Sequence, residues 1–178
     1  RWPTTITANG TTYRINVSWT ADSTVSDESG FDFTISNTTT GTAYYVNDTD
    51  LTNDVYCTSI GDNANIGLTP STPKFSVQSV IDGFSLGPGD VVFIDTGEWI
   101  QQGTELSIDS SDQGSALSPL YFFGSPNGTE FSGNFQPGSE RRVYVYGTSY
   151  LTVRDLILKN SLAEGMTLFA ANDIQFAS

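Results

Sequence analysis

Hydrophobic and polar residues alternate in short runs along this chain, and one run returns at a fixed interval toward its C-terminal end. Leu120-Tyr-Phe-Phe-Gly124 is matched by Val143-Tyr-Val-Tyr-Gly147 and by Met166-Thr-Leu-Phe-Ala170, each shifted by 23 positions. The runs 150–153 and 173–176 repeat with the same shift. Such an interval is typical of a β-solenoid, because every coil must return the chain to the same angular position. The pattern predicts that Leu120, Val143 and Met166 stack on successive coils.

Residues 1–42 do not share this interval. The runs 4–8 and 12–19 flank Asn9-Gly10, a dipeptide that suits a tight hairpin turn. A polar loop is expected over 21–30, and a further strand over 31–35. The second arm of the hairpin carries four large apolar residues on one face, which must cover the solenoid, a preceding module or a neighbouring molecule: Tyr13, Ile15, Val17 and Trp19. We therefore predict a β-strand appendage, or the end of a preceding module, over 1–42 and a solenoid over 43–178.

An ordered series of short motifs occupies residues 43–100. Ala43-Tyr-Tyr-Val-Asn-Asp48 is followed by Gly61-Asp-Asn-Ala-Asn-Ile-Gly67, Phe75-Ser-Val-Gln-Ser-Val-Ile-Asp82 and Pro88-Gly-Asp-Val-Val-Phe-Ile-Asp95. This series resembles the N-terminal cap and first coil of right-handed parallel β-helix proteins of the pectin-lyase-like superfamily. With the 23-residue interval, the resemblance implies an all-β, right-handed parallel β-helix with a short capping helix over 75–84. That architecture serves lyases, hydrolases, tailspikes, adhesins and surface-layer proteins, so it does not specify a function.

Composition and charge narrow the range of partners. The chain has 20 acidic and 7 basic residues with no basic cluster, and no apolar run is long enough to cross a bilayer. Nucleic acid binding and membrane insertion are therefore not expected. The abundance of Ser, Thr, Asn, Asp and Gly favours a secreted or cell-surface protein. Five glycosylation sequons point the same way, and they begin at Asn9, Asn16, Asn37, Asn47 and Asn127.

An acidic turn near the start of the solenoid is a candidate calcium site, and calcium is the only cofactor that the sequence suggests. Carboxylate oxygens concentrated in a short loop are the ligands that Ca²⁺ prefers, and here they belong to Asp48, Asp50, Asp54 and Asp62. The turn lacks the Gly and Glu placements of an EF-hand loop. The alternative is an Asx-rich turn whose side chains bind their own backbone.

No catalytic residue is predicted. The chain has no His, and the basic residues on the coils are Arg141, Arg142, Arg154 and Lys159. Asp95, Asp109 and Asp155 lie near strand ends, but their spacing matches no motif of the superfamily. A carboxylate pair could support glycoside hydrolysis, whereas scattered Asp residues on a solenoid are usually solvated corners.

Aromatic residues form the last candidate site. The inward residues are expected to be Leu120, Phe122, Val143, Val145, Met166 and Leu168. The alternation along each strand then directs another set of side chains outward: Tyr121, Phe123, Tyr144, Tyr146 and Phe169. An outward aromatic ladder can hold sugar rings or receive another protein surface. The alternative is that loops of the same chain, or the strand over 13–19, cover this face.

The function predicted from these features is an extracellular structural or adhesive surface protein. Its last coil, 166–178, is expected to contact further coils of a longer chain or the 13–19 strand of another copy, and the second arrangement would give head-to-tail filaments. Two alternatives remain open. One is a polysaccharide lyase or glycoside hydrolase whose catalytic coils lie partly beyond residue 178, and the other is a carbohydrate-binding spike domain.

Overall fold

The computed structural model describes residues 10–13, 16–19, 21–28, 30, 33–35, 41–100, 106–133 and 141–177. The chain divides into two compact units, Arg1–Thr39 and Thr40–Ser178. Each unit is described by itself.

The N-terminal unit contains four described strands, which are β1 (Gly10–Tyr13), β2 (Asn16–Trp19), β3 (Asp22–Glu28) and β4 (Phe33–Ile35). β1 pairs with β4 and β2 pairs with β3, both antiparallel. The expected strand over 31–35 is confirmed in its described part. The single arm predicted over 12–19 is wrong, because β1 and β2 lie in two separate sheets.

The polar loop predicted over 21–30 is also wrong, since it contains β3. Its Thr24, Ser26 and Asp27 side chains are exposed. An antiparallel pair can leave a whole face in water, so such a strand does not need the apolar alternation by which the other strands were recognised.

The second unit is built from one helix and eleven strands in the described ranges. In chain order they are β5 (Ala43–Val46), α1 (Val77–Gly83), β6 (Val91–Ile94), β7 (Gly97–Ile100), β8 (Leu106–Ile108), β9 (Leu120–Gly124), β10 (Thr129–Ser132), β11 (Val143–Tyr146), β12 (Ser149–Arg154), β13 (Leu156–Lys159), β14 (Met166–Phe169) and β15 (Asn172–Ala177).

The strands of this unit form three sheets, and every pairing within them is parallel. The first sheet has the order β15-β12-β9-β6-β5, the second β13-β10-β7 and the third β14-β11-β8. From β6 onward, consecutive strands enter different sheets, and each complete coil adds one strand to each sheet. This is a parallel β-helix, so the predicted fold class is confirmed.

The interval between stacked strands is 23 residues only in the last coil. Val143 pairs with Met166 and Leu151 with Ile174, as the repeat predicted. Leu120, however, pairs with Leu151, 31 positions later, and lies in a different sheet from Val143. The predicted stack of Leu120 on Val143 is therefore wrong. The two runs look alike because both alternate inward and outward side chains and both end at a glycine.

The inward side chains of the three sheets form one core. Leu120, Phe122, Val143 and Val145 are fully or almost fully buried, which confirms the predicted inward direction of these residues. Leu168, the register partner of Val145 on the last coil, was also expected to be inward but is 46% exposed. Trp99 and Phe131, on the second sheet, are buried beside each other with ring centres 5.7 Å apart. The outward positions on the same strands carry the side chains considered below as candidate sites.

The predicted capping helix is present as α1, two residues shorter at its start than the predicted range and one residue shorter at its end. Its N-cap is Ser76, whose hydroxyl oxygen accepts a hydrogen bond from the Ser79 backbone N–H. Val77, Val80 and Ile81 are buried against the coils. Within the described residues, no helix has the length and apolarity needed to cross a membrane.

Candidate functional site

The outward aromatic residues do not form the single ladder that the sequence predicted. Tyr121 and Phe123 lie on β9 in the first sheet, whereas Tyr144, Tyr146 and Phe169 lie on β11 and β14 in the third sheet. The cause is the coil interval, because the strands at 120 and 143 belong to different walls of the solenoid. The structure therefore contains two aromatic groups on two faces.

The first group, which we call the covered cluster, consists of Tyr45, Tyr56, Phe93, Tyr121 and Phe123. All five side chains are half-buried. Phe93 is at the centre, with its ring centre 5.6 Å from Tyr45, 4.9 Å from Tyr56 and 6.1 Å from Phe123. Tyr56 comes from the loop 47–73 and donates its hydroxyl proton to the Gly124 carbonyl oxygen at 3.1 Å. A loop of the same chain therefore covers this wall.

Asp95 holds that loop in place. Its carboxylate is fully buried and accepts hydrogen bonds from the backbone N–H groups of Val55, Tyr56 and Cys57 at 2.6–2.8 Å. It also accepts one from its neighbour Thr96. Successive backbone N–H groups form a concave anion site, so this carboxylate has a structural role. Burial raises the pKa of the Cys57 thiol, and the negative charge of Asp95 raises it further. The thiol therefore stays protonated and unreactive.

The second group, which we call the aromatic platform, consists of Tyr144, Tyr146 and Phe169. The Tyr146 and Phe169 side chains are 45% and 58% exposed. Their rings are nearly parallel, with an interplanar angle of 7° and centres 5.6 Å apart. Tyr144 stacks on Tyr146 at 6.2 Å, and the Arg141 guanidinium lies 4.5 Å from the centre of the Tyr144 ring.

The backbone explains how the platform is arranged. Tyr146 and Phe169 are register partners in β11 and β14, so their rings project from neighbouring strands. The residue after each, Gly147 and Ala170, has a positive φ of 66° and 51°. These left-handed corners follow directly on both strands, which therefore end at the same level.

A polar cleft of about 680 Å³ lies between α1 and β8. Burial raises the pKa of Asp112 in this cleft, and the negative charges of the nearby Asp109 and Asp82 carboxylates raise it further. Sequence reasoning missed the cleft because residues from the helix and from a later strand form it together. Its polar lining consists of Gln78, Asp82, Ser85, Ser107, Asp109, Ser111 and Asp112.

The four acidic residues of the candidate calcium site are not gathered into a metal centre. The described part of the chain, which includes all four, contains no group of three or more His, Cys, Asp or Glu side chains placed to hold a metal ion. Asp48, Asp50 and Asp62 each accept a hydrogen bond from the backbone N–H two residues later. The Asp54 carboxylate accepts one from the Asn47 side chain at 2.7 Å. This geometry is that of an Asx-rich turn.

The predicted glycosylation sites have different surroundings. Asn127 is exposed in the turn before β10. Asn47 is fully buried and donates its amide protons to Asp54 and to the Ser59 carbonyl, which leaves no room for a glycan on the folded domain. Asn16 begins β2, while Asn9 and Asn37 lie outside the described residues.

Lys159 and Arg154, two of the basic residues of the coils, are held by acidic side chains. Lys159 forms ion pairs with Glu130 and, at 3.5 Å, with Glu98. The hydrogen bond with Glu130 raises the pKa of Lys159, which therefore stays protonated. The Arg154 guanidinium lies 3.6 Å from the Asp155 carboxylate and 5.1 Å from the centre of the Phe123 ring. Arg142 is fully buried.

Comparison with solved structures finds a similar fold in a rhamnogalacturonan lyase. The match has a TM-score of 0.52 and 19% sequence identity, and it covers 75% of this chain and 34% of that one. The chain thus spans about a third of the length of that lyase. No protein-family model and no curated protein matches the sequence. At this identity the similarity concerns the fold alone, and it agrees with the parallel β-helix described above.

Proposed function

We propose that this β-helix binds a carbohydrate chain on the aromatic platform. The observation that carries the proposal is the pair of parallel, exposed rings of Tyr146 and Phe169. One face of a sugar ring often presents several C–H groups, which pack well against aromatic surfaces. A large aromatic patch left in contact with water usually marks a binding surface.

The fold supports a carbohydrate-related role at a coarse level. The structurally similar protein reported above is a rhamnogalacturonan lyase, and this chain has the same type of parallel β-helix. Because one fold can serve many functions, the similarity adds to the argument from the platform and does not replace it.

Binding fits the described residues better than cleavage does. Removal of a sugar ring proton requires a basic group that is not protonated. Lys159 remains protonated beside Glu130, and Arg154 is engaged by Asp155 and Phe123. The buried Asp95 carboxylate is occupied by four backbone N–H groups. We therefore expect no release of unsaturated ends when the chain is incubated alone with acidic polysaccharides.

We place this function outside the cell. The surface is rich in hydroxyl and amide side chains, and the Asn127 sequon is exposed. A polysaccharide-binding surface would meet its ligand in that environment.

The proposal is tested by measuring oligosaccharide binding by calorimetry with the chain and two variants, Tyr146→Ala and Phe169→Ala. Loss of one stacking ring should weaken binding roughly tenfold. Phe176→Ala is the matched control, because Phe176 is 52% exposed but lies on β15 in the first sheet. Equal affinity of the Tyr146→Ala variant and the unmodified chain, or no binding of any oligosaccharide, would contradict the proposal.

A structural role through end contacts is a second proposal. It is supported by a cavity of about 410 Å³, bordered by β12 to β15 and lined mainly by Val153, Leu156, Leu158, Met166 and Phe176. A further coil or another copy would bury these side chains. The predicted donor strand over 13–19 suits this role less well, because Tyr13 belongs to β1, which pairs with β4, whereas Val17 belongs to β2, which pairs with β3. Ile15 lies outside the described residues. Light scattering that finds only monomers at high concentration would count against self-assembly.

A further inference from the structure

We propose that the carbohydrate bound on the aromatic platform is a neutral glycan and that its chain continues from the platform into the cleft between α1 and β8. This inference rests on the proposed function of the platform. It adds the class of ligand and the direction in which the ligand extends.

The platform and the cleft are neighbouring parts of one surface. Ser107 lines the cleft and is the register partner of Tyr144, so both side chains project outward side by side from the third sheet. A Cβ placed on Gly147, directly after Tyr146, would lie 3.4 Å from the Cβ of Ser110. Thr148 donates a hydrogen bond to the Asp112 carbonyl oxygen. These contacts place the 109–112 turn against the end of β11.

The cleft offers the groups that recognise sugar hydroxyls. Its rim carries carboxylate, amide and hydroxyl side chains, and carboxylates are strong acceptors for O–H donors. Gln78 is fixed in position, because its oxygen accepts the Ser107 N–H at 2.9 Å and its nitrogen donates to Asp82 at 2.8 Å. The exposed Asp109 is oriented by hydrogen bonds from the Ser111 N–H and hydroxyl. An oligosaccharide would therefore meet prearranged acceptors on leaving the platform.

The charge of this surface selects against acidic glycans. The described residues that line the cleft include Asp82, Asp109 and Asp112 and no Lys or Arg. The whole chain carries a formal net charge of −13. Uronate carboxylates would be repelled along the cleft, whereas a neutral chain gains hydrogen bonds without that repulsion. Arg141, over the Tyr144 ring, is the group that would favour an acidic ligand instead.

The inference is tested by measuring dissociation constants for neutral oligosaccharides, such as cello-, xylo- and manno-oligosaccharides of two to six units, and for oligogalacturonates of equal length. Neutral ligands should bind more tightly than acidic ones, and affinity should increase with length as the chain enters the cleft. Asp109→Asn keeps an acceptor for the turn but removes the charge. It should weaken binding of the long neutral ligand several-fold, up to about tenfold, and leave the disaccharide unaffected.

Asp62→Asn is the matched control, because Asp62 is also exposed and accepts from the N–H two residues later, but it lies outside the cleft. Tighter binding of oligogalacturonates, lost in Arg141→Gln and Tyr146→Ala, would overturn the neutral class while the platform function stands. Neutral binding that depends on Tyr146 but not on length or on Asp109 would overturn the cleft path. Absence of binding by both classes would reject the platform function itself.

Discussion

The covered cluster and the aromatic platform are made of the same residue types and project outward from the same β-helix, yet their surroundings differ. In the covered cluster the rings of Tyr56 and Phe93 meet at 43° and those of Phe93 and Phe123 at 60°, under the loop 47–73. On the platform Tyr146 and Phe169 are nearly parallel and exposed. An outward aromatic side chain in a solenoid thus has no fixed environment, and the presence of a loop over it decides whether the ring is packed or left exposed to water.

The largest effect is expected from the inner wall on which the platform rests. Val145→Asp would place an unpaired charge at a fully buried position between packed coils. Such a charge costs several kcal/mol, so the variant should lose cooperative thermal unfolding, measured by circular dichroism.

Tyr146→Asp, one position along the same strand, is the control and should melt almost normally because its side chain faces water. If instead Val145→Asp kept the unmodified melting curve, the distinction between inner and outer faces would be wrong.

Removing the Asp95 carboxylate, which holds the loop 47–73 in place, should expose the rings of the covered cluster. Asp95→Ala leaves the N–H groups of residues 55–57 and Thr96 without their buried acceptor. At about 1–3 kcal/mol for each unsatisfied group, with partial rescue by water, a total loss of roughly 3 kcal/mol is expected. Denaturant unfolding measures this loss, and hydrogen exchange at residues 55–57 reports whether the loop has opened.

Asp95→Asn keeps one carbonyl oxygen as an acceptor, so its free energy of unfolding should lie between that of Asp95→Ala and that of the unmodified chain. Unchanged exchange at residues 55–57 in Asp95→Ala would show that ring packing alone holds the loop.

The corners beside the platform should respond in opposite directions to opposite substitutions. Gly147→Ala forces a side chain into a left-handed corner, with φ of 66°, and should cost about 1 kcal/mol. Ala170→Gly relieves the same strain at φ of 51° and should stabilise the fold. The gain should be only a few tenths of a kcal/mol, because the glycine also adds entropy to the unfolded chain, which favours unfolding. Denaturant midpoints of the two single variants check both signs.

The smallest effect concerns the cleft. Burial raises the pKa of Asp112 in the folded state above the ordinary value of an aspartate. Its contribution to stability is therefore fully present below that value and is lost as the pH rises through the folded pKa. Asp112→Asn, which can still accept the Leu86 N–H, should equal the unmodified chain at pH 3 and be more stable at pH 7. If Asp112→Asn were less stable than the unmodified chain at pH 7, the folded protein would stabilise the charged form of Asp112, contrary to this prediction.

The alternation of apolar and polar residues in β9 and β11 was sufficient to predict which of their side chains point inward, but it was not sufficient to predict which strands stack on one another. The alternation in 120–124 and 143–147 correctly separated buried Phe122 and Val145 from outward Tyr121 and Tyr144. It could not show which sheet each strand joins, since that depends on loop lengths along the coil. β7 and β10 were not recognised because each contributes only one large buried apolar side chain, Trp99 or Phe131, so neither shows the apolar alternation of the other strands.

The candidate site was predicted only in part, for a related reason. The five outward aromatic residues could be named from alternation alone. Their separation into two groups required the register, and the cleft required the packing of α1 against β8, whose lining residues are distant in sequence. Asp95 could be noted at a strand end, but its role depends on backbone N–H groups from about 40 positions earlier.

Stacked strands are 23 residues apart at Val143 and Met166 but 37 apart at Leu106 and Val143, and both pairs lie in the same sheet with continuous register. The corners can therefore accept extra chain without disturbing the stack. For protein engineering, the turn after Tyr146 is a place to transplant a segment that shields the rings and carries a protease cleavage site. The surface would then open only after cutting, which would turn a permanently available face into one under external control.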